Sequence, residues 1–198
     1  MVQVGERQVD WIQLITERPG AERERQIHIE LAEDEEIVAL SASRDLQAVI
    51  VQDRACGELR FFDSEGRLIP LEGPEPPPCE LNGFPVYGAV ALSHDGGAVA
   101  YTLVSYRGDT TEAGTDLVAR ELIAGSEAFF GRRIGEAGDS IASLAFDGQR
   151  TAYLRNSDVA QSVTLLNLVD GAELPVDLTE VGEASSVSFA RIPVSPSQ

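Results

Sequence analysis

The sequence predicts an all-β protein built from repeated four-stranded antiparallel units, and three observations predict it. The stretch VALSHDGGAVAYT at 90–102 sets a polar, glycine-broken turn between two short apolar runs. The same plan returns in EIVALSASRDLQAVIV at 36–51 and in IASLAFDGQRTAYL at 141–154. Each of these is followed by a second pair of short runs broken by a polar turn that ends in glycine.

Each run is short, small or β-branched, and bounded by turn residues, which is how strands read. The first runs end at Leu40, Leu92 and near Phe146, a turn with Asp45, Asp95 or Asp147 follows, and apolar residues resume at Ala48, Val99 or Ala152. Asp-Gly at 95–96 and 147–148 suits the positive φ of a tight hairpin, and the side chains of Ser93 and Asp95 can bond the turn's own backbone.

The second elements are ELRFFDSEGRLIPL at 58–71, DLVARELIAGSEAFF at 116–130 and SVTLLNLVDGAELPV at 162–176, with glycines at Gly66, Gly125 and Gly171. DWIQLITERPGAERERQIHI at 10–29 is a fourth copy, with Gly20 in the same place. The one wider interval, from Gly66 to Gly125, contains SYRGDTTEAG at 105–114, read as an inserted polar loop. Two hairpins per unit of roughly 40–50 residues is the arithmetic of a propeller blade, whose sheet must stack on its neighbours to bury both faces. Residues 1–198 therefore read as one propeller-like domain, with units near 36–83, 84–135 and 136–182 and partial units at 10–35 and 183–198. The doublets Phe61-Phe62 and Phe129-Phe130 place one ring on each face of a sheet, and Tyr101 and Tyr153 join them as packing residues.

Two closures fit this count. A four-blade ring requires Val187–Phe189 to pair beside Trp11–Ile15, hiding the edges of a broken ring. A segment of a larger propeller would instead form an open arc, exposing Trp11, Ile12 and Leu14 at one end and Val187 and Phe189 at the other. The open arc is the expectation.

The run VALSHDGGAVAY resembles the "(V/I)xFSPDGxxxAY" signature of WD40-like propeller repeats of the TolB-like, or PD40, group. Leu92 stands at the Phe position, Ser93 at Ser, His94 at Pro and Asp95-Gly96 at Asp-Gly, with Ala100-Tyr101 closing the match. Residues 144–153 keep Phe146, Asp147-Gly148 and Ala152-Tyr153, the copy at 40–51 keeps Arg44-Asp45 without the glycine, and Asp170-Gly171 is similar to the group's outer "DLxxG" strands. The resemblance implies a β-propeller. It implies no single activity, because such propellers serve as scaffolds, as oligopeptidase lids and as parts of multidomain proteins.

Charge narrows the partners. The 33 acidic and 15 basic residues leave a formal net charge of −18, and every basic residue is arginine. So acidic a chain repels phosphate backbones and anionic lipid, which disfavours nucleic acid and membrane surfaces. No apolar run approaches the roughly 18–20 residues of a membrane span, and MVQVGERQVDW lacks the basic-then-apolar order of a signal peptide.

The candidate sites are few. Ser93-His94-Asp95 holds the letters of a hydrolase triad, but neighbours on a tight turn point their side chains apart. There is no GxSxG elbow, and without lysine there is no phosphate-binding P-loop. His28 alternates between Ile27 and Ile29 on a strand's solvent side, and AEDEE at 32–36 lacks the glycine-turned spacing of a calcium loop. No catalytic, cofactor or metal set is expected. The best binding candidate is the inserted loop, with Arg107, Asp109, Thr110, Thr111 and Glu112. Cys56 and Cys79 flank the Pro-rich excursion. Spacing leaves open a disulfide, which would mean an oxidising compartment, or two unrelated thiols. The expected function is a non-catalytic scaffold or a module binding protein or peptide, and the alternative is the gating propeller of a larger serine oligopeptidase-type enzyme.

Overall fold

The computed structural model describes residues 2–4, 8–18, 21–30, 32, 35–43, 46–53, 56–70, 86–107, 111–122, 127–178 and 184–189. All of its regular structure is β. Strands β1 (Val2–Val4), β2 (Gln8–Arg18) and β3 (Ala21–Glu30) form a three-stranded first sheet. Three four-stranded antiparallel sheets follow in chain order. The second sheet is β4 (Glu35–Ala42), β5 (Leu46–Asp53), β6 (Cys56–Asp63) and β7 (Leu68–Ile69). The third is β8 (Val86–Leu92), β9 (Ala98–Arg107), β10 (Thr111–Glu121) and β11 (Ala128–Gly135). The fourth is β12 (Ser140–Phe146), β13 (Arg150–Asn156), β14 (Gln161–Asn167) and β15 (Glu173–Val176). The three repeated hairpins of the sequence are β4–β5, β8–β9 and β12–β13, each opening its sheet.

Period-two alternation lets the second and third sheets bury both faces, and the buried residues show how the sheets stack. In β5, Val49 and Val51 join Ile29 of the first sheet and Phe62, whereas Ala48 and Ile50 face Val90, Leu92, Val99 and Tyr101 of the third. In the third sheet, Ala98, Ala100, Leu117 and Ala119 turn the other way, onto Phe146, Tyr153 and Leu166 of the fourth. Three cores thus join four sheets in order, as consecutive propeller blades are joined. The doublet Phe61-Phe62 sends one ring into each of two cores, while Phe130 packs on the last core and Phe129 stays 47% exposed.

The repeat runs deeper than the turns. The first strand of each four-stranded sheet carries a register shift at the same distance before its turn: Ile37/Ala39, Tyr87/Val90 and Ile141/Ser143. In the third sheet the Thr102 hydroxyl fills the irregularity by accepting the Ala89 N–H at 2.7 Å. A bulge strengthens the local twist of a strand. Three in register give three sheets the same shape, which stacking requires.

One sequence reading changes. Residues 105–107 and 111–114 are paired strand, with Arg107 opposite Thr111, Tyr106 opposite Glu112 and a bulge before Gly114. The insertion therefore lengthens a hairpin instead of forming a loop. The closure by Val187–Phe189 on Trp11–Ile15 is not made among the described residues. At Trp11 both edges are already taken, by Val2 on one side and Ile27 on the other. Residues 184–189 belong to no sheet and lie against the fourth, with Val187 and Phe189 half-buried. The side chains of Trp11, Ile12, Leu14 and His28, like Gly20, Gly125 and Cys79, lie outside the described residues, so the proposed disulfide does too.

Candidate functional site

The turns that open the four-stranded sheets lie side by side on one edge of the stack. Ser43, Ser93 and Asp147 hold equivalent places, each donating its N–H across the turn to the carbonyl of Leu46, Ala98 or Arg150. A Cβ built on Gly96, whose φ is +73°, would stand 2.8 Å from the Ser43 Oγ, and one built on Gly148 would touch Ser93 at 3.8 Å. The glycine at 96 thus lets its turn seat against the turn before, whereas at Gly148 a Cβ would make ordinary contact and it is the φ of +103° that favours glycine.

Within the 93–98 turn, the Ser93 hydroxyl donates to Asp95 Oδ1 at 2.7 Å and accepts the Ala98 N–H at 2.9 Å. Asp95 Oδ1 also accepts the Gly97 N–H at 3.0 Å. These bonds, with the Gly97 N–H the largest cause, hold the Asp95 carboxyl below its ordinary range. Ser93 is 2% exposed and His94 is exposed, so no imidazole stands between serine and aspartate. The triad letters are turn chemistry, with Asp95 serving the backbone.

The 147–150 turn is two residues shorter, and Asp147 takes the place of Ser93, not that of Asp95. Its Oδ1 accepts the N–H groups of Gln149 and Arg150 at 3.0 and 2.6 Å, and its Oδ2 meets the Arg150 guanidinium at 2.7 Å. Burial works against its charge. The two backbone N–H groups and the guanidinium outweigh that penalty and leave its pKa below the ordinary carboxylate value. Backbone bonds then lock both turns to the third strands of their sheets, Leu122 N–H to Gly97 O and Leu168 N–H to Gln149 O, each 2.8 Å.

A linkage consequence follows. A carboxyl with a folded pKa below its unfolded value, near 3.9 for Asp, stabilises above that unfolded value and ceases to as pH falls through the folded one. Asp147→Asn is therefore expected to cost about 1 kcal/mol near neutral pH, with the difference from wild type shrinking below about pH 4. Urea unfolding of both proteins at neutral and acid pH checks this. A difference unchanged with pH would mean that the charge on Asp147 contributes nothing.

Between the two turns lies an open groove of about 640 Å³, lined by Asp95, Asp147 and Arg150 and by Glu121 and Phe129 of the third sheet. Asp147 and Arg150 pair with one another, and Asp95 adds a carboxylate to the groove. Sequence reasoning singled out the turns but missed the groove, because Glu121 and Phe129 reach it from strands β10 and β11. The candidate loop lies elsewhere: Arg107, Thr111 and Glu112 stand in strands at the far end of β9 and β10, away from the Ala98–Glu121 pair beside the groove, and Asp109 and Thr110 lie outside the described residues. In the acidic run, Glu35 accepts the Ala32 N–H at 2.8 Å and is bound by Arg60, and the Arg60 bond is the largest cause holding its carboxyl low.

No family model matches this chain, and no curated protein does. Among solved structures it is similar to a protein from Agrobacterium tumefaciens assigned as TolB, at 14% identity and a TM-score of 0.49, over 86% of this chain and 54% of that one. It is also similar to a DUF4784 family protein from Bacteroides caccae, at 10% identity and a TM-score of 0.34, over 94% of this chain and 63% of that one. The chain spans less than two thirds of the length of either.

Proposed function

We propose that this chain is a non-catalytic propeller module of TolB-like repeats that binds a cationic peptide or protein segment along its turn edge. The groove between the 93–98 and 147–150 turns carries this reading. It sets the exposed ring of Phe129 beside the carboxylate of Asp95, in a chain of net charge −18. An arginine laid over that ring gains about 0.5–1 kcal/mol at an exposed site and meets the Asp95 carboxylate with its donors. The groove's floor is fixed by the turns' own hydrogen bonds, so little ordering cost falls on the protein.

The test is fluorescence anisotropy with a labelled peptide of alternating arginine and tryptophan, against a glutamate-for-arginine control. Phe129→Ala should weaken binding about fivefold, by loss of the ring contact. Glu136→Gln, outside the groove, should not. Equal binding by all variants would show only diffuse attraction to an acidic surface and would overturn the assignment to this groove.

A further inference from the structure

We infer that Asp147 Oδ2 and the ring of Phe189 form a guanidinium site on the turn edge. Arg150 fills it from within the chain, and an arginine of a peptide in the neighbouring groove takes it by displacing Arg150. Two contacts on Arg150 define the site. Its Nε and Nη2 meet Asp147 Oδ2 at 2.8 and 2.7 Å, and its Cζ lies 5.7 Å from the centroid of the Phe189 ring. A carboxylate oxygen for the N–H donors and an aromatic ring for the delocalised cation are partners that suit a guanidinium better than an ammonium.

The site keeps its shape without the Arg150 side chain. Asp147 divides its carboxylate: Oδ1 accepts the backbone N–H groups of Gln149 and Arg150 at 3.0 and 2.6 Å, and Oδ2 receives the guanidinium. The backbone bonds fix the carboxylate whatever becomes of the side chain at 150. Phe189 is held by its own segment, in which Ala184 N–H donates to Gln161 Oε1 at 2.7 Å and Val187 N–H to Ser143 Oγ at 3.1 Å. Residues 184–189 are thus tied to the fourth sheet at two points that do not involve Arg150. Two groups from separate parts of the chain converge on one cation, and neither is placed by it.

Arg150 is the part that can leave. Its side chain is 56% exposed, against 24% for Asp147, and it lines the groove between the turns, so exchange is open from that side. An ion pair and a ring contact at so exposed a position are each weak, and together they favour the bound rotamer by roughly tenfold. Exchange moves one side chain and no backbone bond. The arrangement also repeats the one proposed for the ligand. There a peptide arginine meets Phe129 and Asp95, and here Arg150 meets Phe189 and Asp147. A peptide with two arginines can use both places. This last step rests on the reading of the groove given above, whereas the Asp147–Phe189 site does not. Arg150 is then an internal competitor, and its removal opens a second site of the same chemistry.

The test compares the full chain with Arg150→Gln, Arg150→Gln/Phe189→Leu and Arg67→Gln, by anisotropy of the labelled arginine–tryptophan peptide. Arg150→Gln should bind about fivefold tighter than wild type, and adding Phe189→Leu should cancel the gain. Arg67→Gln makes the same change of charge in the β6–β7 turn, outside the groove, and should not match that gain. No gain, a gain that survives Phe189→Leu, or an equal gain in Arg67→Gln would overturn the displacement. A second measurement needs no peptide. In Arg150→Ala, methylguanidinium should shift the backbone amide signals of Gln149 and Ser188 about threefold more than methylammonium at equal ionic strength, and more than it shifts them in wild type. Equal shifts from the two cations, or in the two proteins, would overturn the site itself. Unequal shifts of the expected kind, with no peptide bound by any variant, would uphold the site and overturn the reading of the groove.

Discussion

Gly114→Ala is expected to destabilise the protein by about 2–5 kcal/mol, combining backbone strain with overpacking. Gly114 is buried at the bulge in β10, opposite Ser105, with φ at +131°. No L side chain adopts that conformation without strain. An added Cβ would also stand 2.5 Å from the carbonyl oxygen of Gly135 and 2.5 Å from an Arg133 guanidinium nitrogen. The guanidinium can swing away, but Gly135 is paired to Thr115 and its carbonyl cannot move without shifting β11. Gly138→Ala is the internal control. Its φ is +90° and its added Cβ would meet nothing within 4 Å, so it should cost only the strain, roughly 1–2 kcal/mol. Urea unfolding of the two variants separates the terms. Equal losses would show that the strands relax around the methyl group and that the bulge is not tightly packed.

The same hairpin shows where the sequence was legible and where it was not. Turn residues and apolar alternation marked β4–β5, β8–β9 and β12–β13, because a strand buried on both faces leaves a near-continuous apolar run. That signal fades where β9 and β10 extend beyond the core, and Tyr106, Arg107, Thr111 and Glu112 then read as a loop. Two of the repeated bulges left no mark, since Val38 and Ala142 are ordinary strand residues whose extra place is visible only against a partner, whereas the third holds a strand glycine, Gly88, beside Ala89. Three-residue β1 was too short to show a period, yet it occupies the edge at Trp11 that a four-blade closure would have used. At the site, Ser93 and Asp95 were legible as turn chemistry because their bonds are local. The groove was not, because Phe129 and Glu121 come to it from strands that only the stacking of sheets brings near the 147–150 turn.

Stacking is also where a single core substitution should cost most. Leu117→Ala is expected to remove about 2–5 kcal/mol, toward the upper part of that range. Leu117 is fully buried in β10 and faces the core between the third and fourth sheets. Around it the third sheet offers four small side chains, Ala91, Ala98, Ala100 and Ala119, and Leu117 shares with Ile134 and Phe130 of β11 the reach to Phe146, Tyr153 and Leu166. Alanine side chains have no length with which to fill a void, and their backbone is pinned by pairing on both sides of β10. The cavity should therefore persist, and the cost of a Leu→Ala change rises with the cavity that remains. The loss should also be uneven. In a stack where each sheet touches only its neighbours, weakening one interface loosens what lies beyond it before it disturbs the far end. Trp11, the only tryptophan, lies in the first sheet, two interfaces away from the lesion. In urea, the far-ultraviolet circular dichroism of Leu117→Ala should begin to fall at lower denaturant than its Trp11 fluorescence, whereas in wild type the two should run closer together. Coincident transitions at an unchanged midpoint would mean that Leu117 holds no interface together. Coincident transitions at a lowered midpoint would keep the cavity argument and show that the four sheets unfold as one unit.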